Sequence, residues 1–266
     1  MKYLIKLHTA RNCIRYLIRA YNIKQLYVPY YICPSVKKLL KKEFIQIKYY
    51  HINDKFMPVQ SFKWDDFILY PNYFGICTNN VRQLTKKYPN LIVDNSHAFF
   101  AKPMGLASFS SLRKFFQMNY GVMDGAYLHT NKYIPQNFKI ADDYEIKYDI
   151  DYETIVKNEL RLDNDQIFIM SKTTEKLMST VNIEYEKLNR LNNFKQLENI
   201  YKKSNELNIS LEDGEVPFVY PYFTRNENIG YELEKQGLLI FRYWEGLPST
   251  FEEYNFYKYL IPIPLY

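Results

Sequence analysis

Residues 67–97 read FILYPNYFGICTNNVRQLTKKYPNLIVDNSH. Two short runs within them, Phe67 to Tyr70 and Leu91 to Val93, are apolar and rich in residues that favour strands. Continuous apolar runs of this length are typical of strands that are buried on both faces. The segment from about Val81 to Lys87 predicts a helix between them. Strands that alternate with helices in this way indicate a parallel α/β sheet.

The same alternation extends toward the N-terminus. Apolar residues recur at helical spacing after Thr9, which predicts a helix that Thr9 caps. Strands are predicted from Gln25 to Val28 and from Phe44 to Tyr50. Between these strands a helix over 34–42 is expected, with Pro34 in its first turn.

The pattern changes after about residue 150. Apolar residues from Leu177 to Tyr201 recur every three or four positions, which predicts one long amphipathic helix. The elements expected after it are a strand over Val216–Tyr220, a helix over Asn226–Gln236 stopped by Gly237, and a strand over Leu238–Tyr243. Residues 1–150 are therefore assigned to a large α/β domain, and residues 151–266 to the long helix and a small α+β domain.

Composition excludes several classes of protein. Of the 266 residues 47% are hydrophobic and 24% are charged, which excludes a disordered chain. The 35 basic and 29 acidic residues are interspersed, which argues against a nucleic-acid partner. The three cysteines are far apart, which excludes a disulfide framework or a Cys-rich zinc site. With no signal peptide and no membrane-length apolar run, a cytoplasmic, soluble protein without a metal or membrane partner is expected.

Two polar features of the first half could bind a ligand. The predicted helix start at Thr9–Asn12 offers free backbone N–H groups, which suit an anion. Asp94 ends an apolar strand, and His97 follows three residues later, at the sheet edge where ligands usually bind. The carboxylate could bind a sugar hydroxyl, a metal or a protonated ring nitrogen, or could simply cap a helix with a packed histidine nearby.

Ser111 and Lys114 have Ser-x-x-Lys spacing, which allows two chemical interpretations. One is a serine nucleophile with a lysine base, but that class also needs Ser-Asp-Asn and Lys-Thr-Gly elements, which this chain lacks. The other is a lysine that forms a Schiff base, with a nearby serine that binds a cofactor phosphate.

Five short stretches occur in a recognisable order: TARN at 9–12, VPYYICPS at 28–35, NYFG at 72–75, DNSH at 94–97 and SLRK at 111–114. Together they resemble the DegT/DnrJ/StrS family of pyridoxal-phosphate-dependent nucleotide-sugar aminotransferases, which have the aspartate aminotransferase fold. Later residues are similar to the small domain of that family: Val216–Phe218, Arg225, Gly237, Trp244 and Leu260–Pro264. The resemblance covers roughly residues 9–128 and 216–264.

The resemblance implies pyridoxal 5'-phosphate as cofactor and assigns residues to it. Lys114 would attach covalently to the cofactor and carry a proton between substrate and cofactor, and Asp94 would keep the pyridine nitrogen protonated. Ser111 and the backbone amides of Ala10 and Arg11 would bind the phosphate.

Further residues are implied near the cofactor ring. His97 stands where the family usually has Gln, beside the ring hydroxyl, and Asn72 is another candidate near that hydroxyl. Tyr30, Tyr31 and Tyr73 are candidates for packing on the ring, and the sequence does not choose among them.

The implied activity is transfer of an amino group from an amino acid, glutamate, to a nucleotide-linked keto sugar in surface polysaccharide biosynthesis. A homodimer with the site at its interface is implied as well. The family usually has Gly where Ala10 and Ala126 stand, and the chain is expected to be a short form because it begins and ends close to the family motifs. Two alternatives stay open: a cofactor-free binding or scaffold protein of the same fold, and a glycosyltransferase that uses the D-x-D of Asp149 and Asp151.

Overall fold

The computed structural model describes residues 1–226, 228–238 and 240–266. Its strands are β1 (Tyr3–Leu7), β2 (Gln25–Pro29), β3 (Gln46–Tyr50), β4 (Ile68–Pro71), β5 (Leu91–Asp94), β6 (Ala107–Ser111), β7 (Ala126–Thr130), β8 (Lys139–Ile140), β9 (Phe168–Ile169), β10 (Val219–Phe223) and β11 (Leu260–Pro264). Its helices are α1 (Ala10–Tyr21), α2 (Pro34–Lys42), α3 (Thr78–Lys87), α4 (Leu112–Tyr120), α5 (Tyr152–Leu162), α6 (Lys172–Thr180), α7 (Ile183–Tyr201), α8 (Asn228–Lys235) and α9 (Tyr254–Tyr259). A short 3-10 turn covers Tyr73–Gly75.

One large mixed sheet dominates the part of the chain that the structure describes. Its nine strands lie in the order β3-β2-β4-β5-β6-β7-β1-β9-β8. The strands from β3 to β6 in this order are all parallel, as are β8 and β9, whereas β7 is antiparallel to both β6 and β1. The predicted α/β class with a mostly parallel sheet is confirmed.

Buried apolar residues cover both faces of this sheet. On one face α1 and α2 pack against the strands through residues such as Ile14, Leu17 and Leu39. On the other face α3, the 3-10 turn and part of the C-terminal region surround a second buried cluster that includes Val81 and Phe256. Helices on two faces explain why the central strands carry continuous apolar runs instead of alternating ones.

The sheet register brings polar residues to one edge. Pro71 of β4 pairs with Asp94 of β5, and Asp94 pairs in turn with Phe109 of β6. The three strands are parallel, so their carboxyl ends meet, and the residues that follow them lie close together. This edge is where ligands bind in open α/β sheets.

The predicted N-cap of α1 is confirmed. The Thr9 side-chain oxygen accepts the backbone N–H of Asn12 at 3.1 Å, which satisfies one of the amides that a helix start leaves free. The predicted helix over 34–42 coincides with α2, with Pro34 at its start. Both local predictions succeeded because capping and proline geometry depend on neighbouring residues alone.

The single long helix predicted over Leu177–Tyr201 is wrong. The chain forms α6 and α7, separated at Val181 and Asn182, where Val181 has extended backbone angles. The Asn182 side chain accepts the N–H of Tyr185 at 3.0 Å and caps α7. The apolar spacing continues across this break, so periodicity does not reveal it.

The small C-terminal sheet pairs β10 with β11, antiparallel, with Tyr220 opposite Ile263. The strand predicted over Val216–Tyr220 therefore lies a few residues later, and Gly237 ends a helical segment as predicted, with φ +86°. The helix predicted over Asn226–Gln236 corresponds to α8, which covers Asn228–Lys235. The strand predicted over Leu238–Tyr243 is wrong for the described residues of that range, which form no strand. Glu227 and Leu239, one in each of these predicted elements, lie outside the described residues.

The proposed division at residue 150 stays a prediction. β9 lies beyond that point and still pairs with β1 in the large sheet, through Leu7 and Ile169. The 3-10 turn after β4 also meets the later region directly, because the N–H of Phe218 donates to the carbonyl of Phe74 at 2.8 Å. Among the described residues, none of the helices combines the length and the apolar character that crossing a membrane requires.

Candidate active site

A cavity lies where the carboxyl ends of β4, β5 and β6 meet the N-terminus of α1. Seven of the eight residues predicted to form the site line this candidate cavity: Ala10, Arg11, Asn72, Asp94, His97, Ser111 and Lys114. Residues of two helices (α1 and α4), two strands (β5 and β6) and the loops after β4 and β5 thus converge on one space, although the sequence separates them by up to about a hundred positions.

Tyr73, the eighth predicted residue, does not line the candidate cavity. It is fully buried, and its hydroxyl donates to the backbone carbonyl of Tyr31 at 2.9 Å. Its ring packs against those of Tyr31 and Phe56. Tyr30, the third tyrosine proposed for the cofactor ring, stacks on Tyr49 and also lies outside the cavity lining. These tyrosines build the apolar core behind the site.

The side of the cavity formed by α1 and β6 suits an anion. Ala10 and Arg11 are the first residues of α1, where backbone N–H groups have no partner within the helix. Ser111 ends β6 and precedes α4, and its side chain makes no capping hydrogen bond there. Two amides and a hydroxyl therefore face the same space.

Lys114 lies in the first turn of α4 and is enclosed by aromatic rings. Its Nζ lies 5.8 Å from the ring centroid of Phe218 and 5.4 Å from that of Tyr243. Burial lowers the pKa of Lys114, and the neighbouring positive charge of Arg113 lowers it further. A larger neutral fraction makes the amine a better nucleophile toward a carbonyl compound.

Asp94 presents a half-buried carboxylate at the end of β5. One carboxylate oxygen accepts the backbone N–H of Ser96 at 2.8 Å. Burial raises the pKa of Asp94, while the hydrogen bonds from Ser96 and the charge of Lys114 act in the opposite direction. No cationic side chain of the described residues lies within ion-pair distance of it. A ligand that brings its own positive charge, such as a protonated ring nitrogen, would complete the pairing.

His97 forms one wall of the cavity. Its ring lies nearly parallel to those of Phe218, Trp244 and Phe74, with centroid distances of 4.7, 5.6 and 5.8 Å. Burial lowers the pKa of His97 well below its usual value, and the charge of Lys114 adds to this effect. The imidazole is therefore neutral at physiological pH and acts as a flat, partly polar surface.

Asn72 lines the cavity but also holds the turn after β4. Its side-chain oxygen accepts the N–H of Cys77 at 3.0 Å, and its amide group makes longer contacts to Asn95 and Thr78. Gly75 completes this turn with φ +76°, and a side chain there would meet the carbonyl oxygen of His97 at 2.4 Å. The turn thus positions His97.

An ion-pair cluster at the cavity was missed by sequence reasoning. Glu159 of α5 forms ion pairs with Arg113 and, at 3.5 Å, with Arg11. Burial alone would raise the pKa of Glu159, but the charges of Arg113, Arg11 and Lys114 outweigh it and lower the pKa. Arg113 adjoins Lys114 in the sequence and could have been noticed, whereas nothing in the sequence connects Glu159 with this place.

Trp244 is the second missed residue, because it lines the cavity and packs on His97. The family resemblance includes Trp244 among the residues of the small domain but implies no role for it in the site.

The D-x-D alternative gains no support from the geometry. Asp151 caps α5, since its carboxylate accepts the N–H of Thr154 at 2.7 Å. In the part of the chain that the structure describes, no three His, Cys, Asp or Glu side chains form a group able to hold a metal ion.

No known protein family profile and no curated protein matches this sequence. Solved structures match closely in fold. PseC of Helicobacter pylori, an aminotransferase involved in the biosynthesis of pseudoaminic acid, has 16% identical residues and a TM-score of 0.68, with 99% of this chain and 81% of PseC covered. A DegT DnrJ EryC1 StrS aminotransferase from Brucella abortus has 12% identity and a TM-score of 0.64, with 100% of this chain and 81% of that protein covered.

A third similar structure is Spr1654 of Streptococcus pneumoniae in its PLP form, named as a sugar aminotransferase. It has 14% identity and a TM-score of 0.63, with 99% of this chain and 82% of that protein covered. At such identities the likeness establishes the fold. The chain therefore has the aspartate-aminotransferase-like fold that these sugar aminotransferases share, as the resemblance implied.

Proposed function

We propose that this protein is a pyridoxal-phosphate-dependent aminotransferase that converts the keto group of a nucleotide-linked sugar to an amine. The observation that carries the proposal is the convergence of Lys114, Asp94, Ser111 and the start of α1 on one cavity. An amine, a carboxylate and an anion site are the three contacts that pyridoxal phosphate requires through its aldehyde, its ring nitrogen and its phosphate.

The residues present fit this cofactor. The N–H groups of Ala10 and Arg11 and the hydroxyl of Ser111 would hold the phosphate, and the Asp94 carboxylate would bind the ring nitrogen. Lys114 would provide the covalent attachment. When bound, pyridoxal phosphate supplies an electron sink next to the reacting carbon.

The chain's own residues then have distinct tasks. The Asp94 carboxylate would hold a proton on the ring nitrogen, because desolvation raises the pKa of this carboxyl and a cationic partner would stabilise its charged form. Lys114, with its lowered pKa, accepts and returns a proton at its Nζ. The neutral His97 and the ring of Trp244 exclude water from this space.

Glutamate as amino donor, a role in surface polysaccharide synthesis, a cytoplasmic location and a homodimer are further parts of the proposal. They rest on the resemblance of the five sequence stretches and on the sugar aminotransferases with the same fold. PseC, an aminotransferase involved in pseudoaminic acid biosynthesis, illustrates this class of sugar chemistry.

Covalent trapping tests the proposal. The purified protein is incubated with pyridoxal phosphate, its visible spectrum is recorded, and the adduct is reduced with borohydride and mapped by peptide mass spectrometry. We expect a yellow adduct, with the label on Lys114 in the wild type. Lys114→Ala abolishes it, whereas Lys102→Ala, at an exposed position, leaves it unchanged.

A missing adduct, or a label on another lysine, would overturn the proposal and favour the cofactor-free binding protein. If the adduct forms, release of 2-oxoglutarate from glutamate in the presence of a keto-sugar nucleotide tests the amino transfer itself. If glutamate releases no 2-oxoglutarate but another amino acid is turned over, the proposed amino donor is wrong and the proposed amino transfer stands.

A further inference from the structure

A second cavity adjoins the candidate cavity on the side of the C-terminal region. The two cavities share Arg113, Lys114, Glu159 and Trp244, so Lys114 is reachable from both. We call the second cavity the vestibule; Arg190 and Arg242 also line it. Its position makes it the approach to Lys114 for a substrate.

The charge of the vestibule is predominantly positive. Four cationic side chains line it, and Glu159 is the single acidic side chain among its lining residues in the described chain. Aromatic side chains, including Phe218 and Tyr243, form much of the remaining wall. Low-polarity walls strengthen the attraction of such a cluster for an anion.

The three arginines differ in their partners. Arg190 donates to the backbone carbonyls of Phe218 and Phe115, at 3.1 and 3.0 Å. These acceptors belong to the backbone, so an incoming anion cannot displace them by rotating a side chain. Arg242 donates to the backbone carbonyl of Lys258.

Among the side chains that the structure describes, Arg113 is the one of the three arginines that pairs with a carboxylate, that of Glu159. The Glu159 side chain is 40% exposed, so it can rotate into water while Arg113, 18% exposed, stays in place.

We propose that Arg113 binds an anionic group of the substrate in the vestibule and that Glu159 occupies its guanidinium until the substrate arrives. This assignment rests on the proposed function and adds to it the residue that recognises the acidic substrate. Exchange of one carboxylate for another anion keeps the guanidinium paired throughout, so it avoids the cost of a buried unpaired charge.

Two sources supply such an anion: the carboxylates of the amino donor and the phosphates of the sugar nucleotide. Arg113 and Lys114 line both cavities, so an anion bound by Arg113 lies in the same space as the amine on which the amino transfer depends. A planar guanidinium can bind either group with two hydrogen bonds. The experiment separates the two sources by using one probe of each kind.

The test is a binding titration of the purified protein, with and without pyridoxal phosphate, using glutarate and uridine diphosphate as probes and calorimetry as readout. We expect at least one probe to bind. Arg113→Gln should weaken its affinity about tenfold or more, as the loss of a charged hydrogen-bonded pair implies. Glu159→Gln should strengthen it by about threefold to tenfold, because the competing carboxylate is gone.

Opposite signs for the two variants are the distinguishing result, since a purely structural ion pair would weaken binding in both. Arg82 and Glu212 provide a matched control pair, because they form an ion pair away from both cavities. Arg82→Gln and Glu212→Gln should leave the affinity within about twofold.

The proposal is overturned if neither probe binds, if Arg113→Gln leaves the affinity unchanged, or if Glu159→Gln weakens it. It is also overturned if Arg113→Gln affects only the affinity for pyridoxal phosphate, because the arginine would then serve the cofactor phosphate. If the two variants change the anion affinity in the expected directions but no Lys114 adduct forms, Arg113 is confirmed as an anion-binding residue and the proposed aminotransferase function is wrong.

Discussion

The guanidinium of Arg190 donates a 3.0 Å hydrogen bond to the backbone carbonyl of Phe115, the residue that follows Lys114. The same side chain donates to the carbonyl of Phe218, whose ring packs on His97. Arg190 is 2% exposed and lies over the Phe115 ring at 4.7 Å. One side chain of α7 thus connects the helix that carries Lys114 with the segment that encloses it.

Arg190→Met should destabilise the protein by roughly 2 to 4 kcal/mol, because it removes two hydrogen bonds that a buried cationic side chain donates to backbone carbonyls. Denaturant unfolding measures the change. Arg19→Met, on an exposed part of α1, is the control and should change stability by less than about 0.5 kcal/mol. Equal stability of the two variants would show that Arg190 does not tie α7 to the site.

Gly75→Ala should disturb the candidate cavity as well as stability. The new methyl group would meet the carbonyl oxygen of His97 at 2.4 Å, and the backbone has φ +76°. We expect a loss of at least about 2 kcal/mol in the free energy of unfolding and weaker cofactor binding. Gly214→Ala is a matched control, with φ +82° and no atom within 4 Å of the added carbon. A similar loss in both variants would mean that the positive φ, and not the contact with His97, sets the cost.

Asp94→Asn should slow amino transfer by about 10²–10³-fold while the Lys114 adduct still forms, because an amide cannot hold a proton on a ring nitrogen. The adduct spectrum and single-turnover rates measure the two effects separately. Asp65→Asn, an exposed position, should be neutral. Full activity of Asp94→Asn would show that the Asp94 carboxylate does not act on the ring nitrogen of the cofactor.

Trp244 offers an optical report on the candidate cavity. The chain has two tryptophans, and Trp64 is 74% exposed, so Trp64→Phe leaves Trp244 as the single emitter. Because Trp244 lines the cavity, its fluorescence should fall when pyridoxal phosphate binds. In the reverse variant, Trp244→Phe, the emission of Trp64 should change little. Equal quenching in both variants would place the bound cofactor elsewhere.

His8 should make stability depend on acid pH. Burial lowers its pKa from 6.5 to about 4, against the opposing attraction of Asp124, which lies 3.6 Å from its Nε2. Between these two values the unfolded chain binds more protons, so the free energy of unfolding rises with pH from about 4 to 6.5. Acidification from 6.5 to 4 should therefore cost about 3 kcal/mol through this residue.

The variant His8→Gln lacks the pH-dependent contribution of His8 to the free energy of unfolding. The difference in free energy of unfolding between wild type and variant should therefore be smaller at pH 4 than at pH 8. Thermal unfolding across the pH range measures it. A constant difference over the whole range would show that His8 does not titrate between folded and unfolded states in this window.

Much of the fold could be predicted from local sequence. The apolar runs that became β4 and β5, the Thr9 cap and the Pro34 helix start depend on neighbouring residues, and the structure has all of them. The break at Asn182 was not predictable in this way, because the apolar spacing continues through it and the Asn182 cap, which accepts the N–H of Tyr185, competes with an uninterrupted helix.

The sequence by itself determined the α/β class, the order of the site motifs and seven of the residues that line the candidate cavity, since each motif is a short local pattern. Tertiary structure alone decided that Tyr73 lies in the core, that Glu159 pairs with Arg113, and that Trp244 closes the wall beside His97. The physical reason is distance along the chain: these contacts join segments whose approach is set by sheet register and by the packing of the C-terminal region, which no local pattern encodes.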